Sequence, residues 1–350
     1  MAVFAANFSI LAYPLYVGPD SASIILLGML GAIAGTISPA ARLRSRRCIE
    51  ILGKANGKNN YVKGNYMRQT FLITLMAAAY TVTAHAGCPT AEQVSAMVAD
   101  WTQMNPTKGL SKDMPMDDAQ CTRRMLVAEL GKTQGKIVGY KAGLTNKAVQ
   151  QRFGFPQPVY GTLFEKMLLQ DGAVVPAKFG SRPVFEADLV VEVKDDGINQ
   201  ATTPLDALKH ISKIYPFIEL PDLVVAEGEP LNGPIITAIN VGARLGVLGK
   251  PFAAEATPEM VAALAEMKVV MSDQDGKELA KGTGAGILEQ PLNAVLWLAQ
   301  ELAKDGIRLR AGDLLSLGSF TPLLPPKPGT SARVSYQGLP GNPSVSVSFK

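Results

Sequence analysis

Histidine is almost missing from this chain, with two in 350 residues, His85 and His210. A Ser-His-Asp triad or a histidine-rich zinc centre needs a well-placed imidazole. His85 falls in a segment expected to be cleaved away. His210 sits in a helical pattern beside Lys209 and Lys213, the ordinary setting of a solvated helix-face histidine. The residues therefore point to chemistry run on carboxylates, lysine and metal. Cysteine is nearly as scarce: Cys48, Cys88 and Cys121 have no ligand-like neighbours, which sets structural zinc aside. The globular part also lacks a surplus of positive charge. The chain carries +4 overall, yet residues 1–86 hold eight basic against two acidic residues, a net +6, and the remainder is −2. No electrostatic footprint for a nucleic-acid partner is left there.

What is present begins with a leader. Residues 67–87, MRQTFLITLMAAAYTVTAHAG, combine Arg68, an uncharged apolar run from Phe71 to Ala84, and small residues at Ala84 and Ala86. That is a secretory signal peptide, too short in its apolar run for a membrane span. It begins at Met67, so residues 1–66 are expected to be an over-extended N-terminus. The competing reading is a membrane helix over Ser21–Ser38, flanked by Arg42, Arg44, Arg46 and Arg47. The preferred reading makes the protein exported, to the periplasm, with no stable membrane anchor in its mature form. Cys88 and Cys121 are then the two cysteines of the mature chain. A disulfide between them is expected in an oxidising compartment, and two free buried thiols are the alternative.

Residues 87–350 read as a single domain. At 47% hydrophobic the chain can bury a substantial core. From Thr90 to Leu130 the pattern is helical, with Ala91, Val94, Met97, Val98 and Trp101 forming one apolar stripe. After Gly135 short β-rich runs follow: Lys136–Ala142, Val184–Val193, Phe217–Leu220, Ile235–Ile239, Val269–Ser272, Asp313–Leu317, Ala332–Tyr336 and Ser344–Phe349. Helices are expected at Asn146–Phe153, Pro204–Ile214 and Pro291–Asp305. The fold class is α+β, with N-terminal helices packed on a mixed β-roll or sandwich.

Three segments carry chemistry. In PVFEADLVVEV (183–193) strand alternation puts Glu186 and Asp188 on one face. Such a pair either shares a hard divalent cation or lines a solvated edge. In YPFIELPD (215–222) Glu219 is a single acid within an apolar strand, outward-facing or in need of a buried partner. In IVGYKAGLTNKAVQQRFG (137–154) Lys141 lies in an apolar strand before a Gly-containing turn, either snorkelling outward or held beside carboxylates.

The runs GYKAGLTNKAVQQRFG, QPVYGTLF, PVFEADLVV, FIELPD and EQPLNAVLWLAQELAKDGIRLRAGDLLSLGS, in unbroken order from about Cys121 to Lys350, resemble the 2-keto-4-pentenoate hydratase branch of the fumarylacetoacetate hydrolase superfamily. The resemblance implies a divalent metal, Mg²⁺ or Mn²⁺, on Glu186, Asp188 and Glu219. It implies Lys141 as the catalytic lysine, and substrate contacts at Gly143, Leu144, Gly161, Gly318 and Ser319. It also implies a homo-oligomer acting on a small 2-oxo acid, whose enolate the metal stabilises. The match departs from the family pattern at four places. Asp188 stands for a Glu, Val159 and Ile239 for acids, and Gln290 for a His. Three classes of function follow. One is a hydratase, or a sibling that decarboxylates or cleaves a C–C bond; the second is an exported binding protein for a small acid; the third, a structural envelope protein, rests only on the N-terminal apolar segment.

Overall fold

The computed structural model describes residues 87–350, so the leader and everything upstream lie outside the described residues. Helix α1 (Ala91–Gln103) starts at a capping box. Thr90 Oγ1 accepts from the Gln93 amide, and Gln93 Oε1 accepts from the Thr90 amide. It buries Val94 and Met97. Helix α2 (Met116–Gln134) carries Asp117 and Asp118 in its first turn, where the helix dipole favours negative charge. A disulfide joins Cys88, ahead of α1, to Cys121 in α2. Among the described residues no helix is long and apolar enough to cross a membrane.

The remainder alternates between two sheets and the helices that cover them. In chain order the elements are β1 (Ile137–Gly143), α3 (Lys147–Arg152), β2 (Val159–Phe164), β3 (Leu168–Gln170), β4 (Ala173–Val175), β5 (Glu186–Val193), α4 (Pro204–Lys209), β6 (Ile211–Leu220) and α5 (Gly233–Ala238). They continue with β7 (Leu245–Leu248), β8 (Phe252–Ala253), α6 (Pro258–Glu266), β9 (Lys268–Ser272), β10 (Glu278–Thr283), α7 (Leu292–Lys304), β11 (Leu314–Ser316), β12 (Thr330–Gln337) and β13 (Ser344–Phe349). The larger sheet runs β2-β1-β11-β5-β6-β7-β3, with β8 paired to β6; the smaller runs β10-β9-β12-β13-β4. Parallel pairs (β1–β11, β3–β7, β4–β13) mix with antiparallel ones. The α+β architecture expected from the sequence is the one found.

The main core joins the two sheets. Leu189, Val191, Ile214 and Ile218 of the larger meet Val269, Met271, Val334 and Val347 of the smaller, with Leu298 and Leu302 of α7. Tyr336 crosses between them. Its buried hydroxyl contacts the Asp188 carbonyl and accepts from the Phe217 amide at 3.2 Å, locking β12 onto β5 and β6. A second fastening lies at β2. Arg123 of α2 donates to the Tyr160 carbonyl (2.9 Å) and to Asp305 (2.8 Å), and its guanidinium lies 3.5 Å over the Tyr160 ring.

Two sequence expectations are corrected. Ile235–Ile239 is not a strand but most of α5: Asn232 accepts from the Ile235 amide at 3.0 Å and Pro234 sits in the first turn, so the cap overrides the β-branched residues. The helix expected over Pro204–Ile214 stops at Lys209, because from Ile211 the chain pairs with β5. His210 closes that helix and its Nδ1 lies 2.6 Å from Asp195, a structural contact away from the site described next.

Candidate active site

Strands β5 and β6 place the acids. They run antiparallel with Glu186 opposite Glu219 and Asp188 opposite Phe217, so alternation brings the three carboxylates to one face. The solvated-edge reading fails because β5 is flanked by β11 and β6 and the three side chains are buried, Asp188 completely. Lys141 reaches the same face from β1, where it stands opposite Ser316, itself opposite Val190 of β5. It is buried too, which rules out snorkelling to solvent.

Each charged group has its own setting. The Lys141 ammonium pairs with Glu219 and donates to the Val241 carbonyl at 2.9 Å. That carbonyl projects from an unusual backbone, with Asn240 and Val241 both left-handed at φ 55° and 53°. For a β-branched residue such a φ is costly and persists only under constraint. The constraint is visible: Asn240 Oδ1 accepts from the Thr162 amide (2.7 Å), and its Nδ2 donates to the Thr162 carbonyl (3.0 Å).

Asp188 is enclosed by donors. Its Oδ1 accepts from the amides of Leu189 (2.5 Å), Leu317 (3.2 Å) and Gly318 (3.0 Å), and its Oδ2 from the Ser316 hydroxyl (2.5 Å). These donors favour the charged form. Burial and then the charge of Glu219 outweigh them and push the carboxyl up to about 8. The same two causes hold Glu186 well above the usual carboxylate range, against the pull of Lys141 and the Ser319 hydroxyl.

A cavity of about 380 Å³ opens in front of Glu186 and Lys141. Gly143, Leu144 and Ser319 border it. Gly161 and Gly318 lie outside its lining and have structural duties. A Cβ on Gly161 would lie 2.6 Å from the Asn240 carbonyl, so its bareness lets the Asn240 loop close on β2. Gly318 adopts φ +108° with Thr145 2.1 Å from where a Cβ would sit, and its amide holds Asp188. Asp188 and Glu219 stand behind the cavity wall, leaving Glu186 as the acid that faces it. Gln290 is turned away: it donates to the Val261 carbonyl and accepts from the Leu292 amide at the start of α7.

Among the described residues no three Asp, Glu, His or Cys side chains converge closely enough to grip an ion as they stand. Two of the acids are engaged instead, Glu219 by Lys141 and Asp188 by Ser316 and the amides. In kind and charge the set nonetheless fits a hard divalent cation. Three buried carboxylates face one ammonium, and Glu219 Oε1, though in contact with Lys141, has no aligned hydrogen-bond donor.

The geometry invites comparison with known proteins. No family model matches the chain. The 2-keto-4-pentenoate hydratase 2 of Dechloromonas aromatica (strain RCB) is 32% identical over 210 residues, covering 60% of this chain and 78% of that protein. The chain belongs to the 2-keto-4-pentenoate hydratase family. The family's enzyme from Burkholderia vietnamiensis (strain G4 / LMG 22486) gives 31% over 213 residues, 60% of this chain and 79% of that one. Among solved structures, 4-oxalocrotonate decarboxylase from Pseudomonas putida G7 superposes with TM-score 0.62 at 27% identity, over 75% of this chain and 100% of that one. That decarboxylase is known with magnesium and adipate and with calcium and acetate.

Sequence reasoning found Lys141 and the three acids but missed their supports, Ser316, Tyr336 and the Val241 carbonyl. Ser316 carried a signal, since it lies in an apolar strand run (DLLSLGS) where a hydroxyl needs a partner. The other two carried none.

Proposed function

We propose that this protein is a divalent-metal-dependent hydratase of a small 2-hydroxydienoic (2-oxo) acid. The observation that carries the reading is the unbalanced buried charge: Glu186, Asp188 and Glu219 share one face with Lys141, and Glu186 and Lys141 border a cavity of ligand size. Glu186, Asp188 and Glu219 would hold the metal, magnesium or manganese, which when bound supplies a Lewis acid for the substrate's carboxylate and 2-oxo oxygens. Lys141, steadied by Glu219 and Val241, offsets the acid's negative charge and is placed to exchange a proton with the dienol. Ser319 borders the same cavity as Glu186, its hydroxyl held by donation to the Thr321 carbonyl at 2.6 Å. The apolar walls keep bulk water from the reacting carbons.

The test is incubation of the purified protein with Mg²⁺ or Mn²⁺ and 2-hydroxypenta-2,4-dienoate. Loss of the dienol absorbance with formation of 4-hydroxy-2-oxopentanoate is expected. Release of carbon dioxide from 4-oxalocrotonate, with no hydration, would reassign it as a decarboxylase. A second reading, an exported small-acid binding protein, is favoured by Val159 and Ile239, apolar where the family carries acids. Saturable 2-oxo acid binding without turnover of any substrate would establish it.

The proposal extends to location and assembly. The Cys88–Cys121 disulfide and the leader at Met67–Gly87 support export to the periplasm. N-terminal sequencing of the secreted protein tests this, and a mature terminus before Met67 would overturn it. Assembly as a homo-oligomer is expected from family membership and is read by sedimentation.

A further inference from the structure

The cavity lining is of two kinds. Glu186, Lys141 and Ser319 are its polar members at the acid cluster, and Val149, Phe153, Leu223, Ile236, Ile239 and Leu323 are among its apolar ones. The ionisable side chains lining the whole space are Lys141, Glu186 and Arg152. Arg152 is exposed, with its guanidinium 5.6 Å from the Phe153 ring centroid, where solvent screens its charge. Asn146, the other strongly polar group nearby, is already engaged, its oxygen by the Ala148 amide and its nitrogen by the Gly286 carbonyl. The one buried cation of the lining is Lys141, already paired with Glu219, so a second carboxylate on a ligand would lack a buried cationic partner, at a high desolvation cost.

Size points the same way. At about 380 Å³ the cavity lies within the range of roughly 300–1,000 Å³ that takes ligands larger than a five-carbon acid. The wall is also continuous with a small apolar cluster behind it, in which Leu144, Val159, Ile236 and Val241 pack with Val149 and Phe153. The two positions where the family pattern has acids, Val159 and Ile239, fall in that cluster and in the cavity wall respectively.

We propose that the apolar part of this lining is a specificity pocket for an uncharged, apolar substituent, an alkyl chain of three or more carbons or a phenyl ring, at the distal end of a 2-oxo or 2-hydroxydienoic acid. This rests on the function proposed above. Phe153, Ile236 and Ile239 determine the preference.

The test is calorimetric titration of the whole protein with 2-oxo acids in the presence of Mg²⁺. Affinity is expected to rise from pyruvate through 2-oxopentanoate to 2-oxooctanoate, by about fourfold for each methylene newly buried. 2-Oxosuberate, as long as 2-oxooctanoate but ending in a carboxylate, is expected to bind at least tenfold more weakly than it. Phe153→Ala, half-buried and checked for folding by circular dichroism, should shrink the ratio of 2-oxooctanoate to pyruvate affinity. Ile239→Asp should shift preference towards 2-oxosuberate. Affinity independent of chain length, or 2-oxosuberate as the tighter ligand of the unaltered protein, would overturn the pocket while leaving the hydratase reading intact. Failure of every 2-oxo acid to bind would overturn both.

Discussion

Two clusters of charge lie on neighbouring parts of this molecule, and they are built on opposite plans. Around Arg123 the single carboxylate is fully engaged. The guanidinium donates to the Tyr160 carbonyl and to Asp305, Arg124 lies 3.7 Å from the same carboxylate, and the Tyr160 hydroxyl donates to Asp305 as well. Around Lys141 three carboxylates face one ammonium, and two of the three are pushed towards their protonated forms. The first cluster fastens α2, β2 and the end of α7. The second has more carboxylates than the protein has cations to answer them, and protons make up the difference. A cluster whose acid is fully engaged holds the fold together, whereas an unbalanced one with surplus acids is a place kept for something else.

The comparison can be broken by removing one member from each side. Glu186→Gln should lower hydration by on the order of 10²–10³-fold, as loss of one group stabilising developing charge does elsewhere. It should abolish divalent-ion binding by calorimetry, while leaving the metal-free protein at least as stable, since one buried like charge is gone. A metal-free protein that melts much earlier would mean Glu186 is structural. Arg123→Met should do the reverse. It removes one of the three partners of Asp305 and is expected to lose about 1.5–3 kcal/mol of unfolding free energy in a urea titration, with turnover per folded molecule unchanged.

Acidity sharpens the contrast. Asp188 and Glu186 have folded-state values raised above those of the unfolded chain, so the folded protein binds more protons over the intervening range. The contribution of Asp188 to stability is therefore fully present below about pH 4 and lost as pH rises through about 8, and that of Glu186 declines in the same direction. Scanning calorimetry of the metal-free protein should show that decline. Mg²⁺ at a hundredfold excess over its Kd should restore about 2.7 kcal/mol at pH 8 and less at pH 5, where protons compete. A metal-free protein equally stable at both values would contradict the unbalanced plan. The smallest effect belongs to a pair outside both clusters. Lys147 and Glu289 meet at 3.2 Å but are more than four-fifths exposed, and Lys147→Ala should change stability by less than about 1 kcal/mol, tending to zero in high salt.

Much of this was legible in the residues because strand parity is strict. Alternation alone put Glu186 and Asp188 on one face, and Glu219 then needed only to lie on a neighbouring strand. What alternation does not encode is which strands become neighbours: the pairing of Glu186 with Glu219, and of Lys141 with Ser316, is set by contacts far apart along the chain. Helix α6 could have been read from Thr257, whose hydroxyl accepts from the Met260 amide, and from Pro258 after it. Strand β2 was hidden because its residues are uniformly buried rather than alternating. At Ile235–Ile239 a β-branched run outvoted a cap three residues upstream.

The Val241 carbonyl has a consequence for how this site can change over time. It belongs to the main chain, so no substitution at position 241 deletes it. The lysine's support is inherited with the shape of the loop, and that shape depends on Asn240 gripping Thr162 and on the bare Gly161 beneath it. The side chain at 241 answers to a different constraint, its packing with Leu144, Val159 and Ile236. The backbone that holds the Lys141 ammonium and the side chain that shapes the cavity are thus two separate demands on one residue.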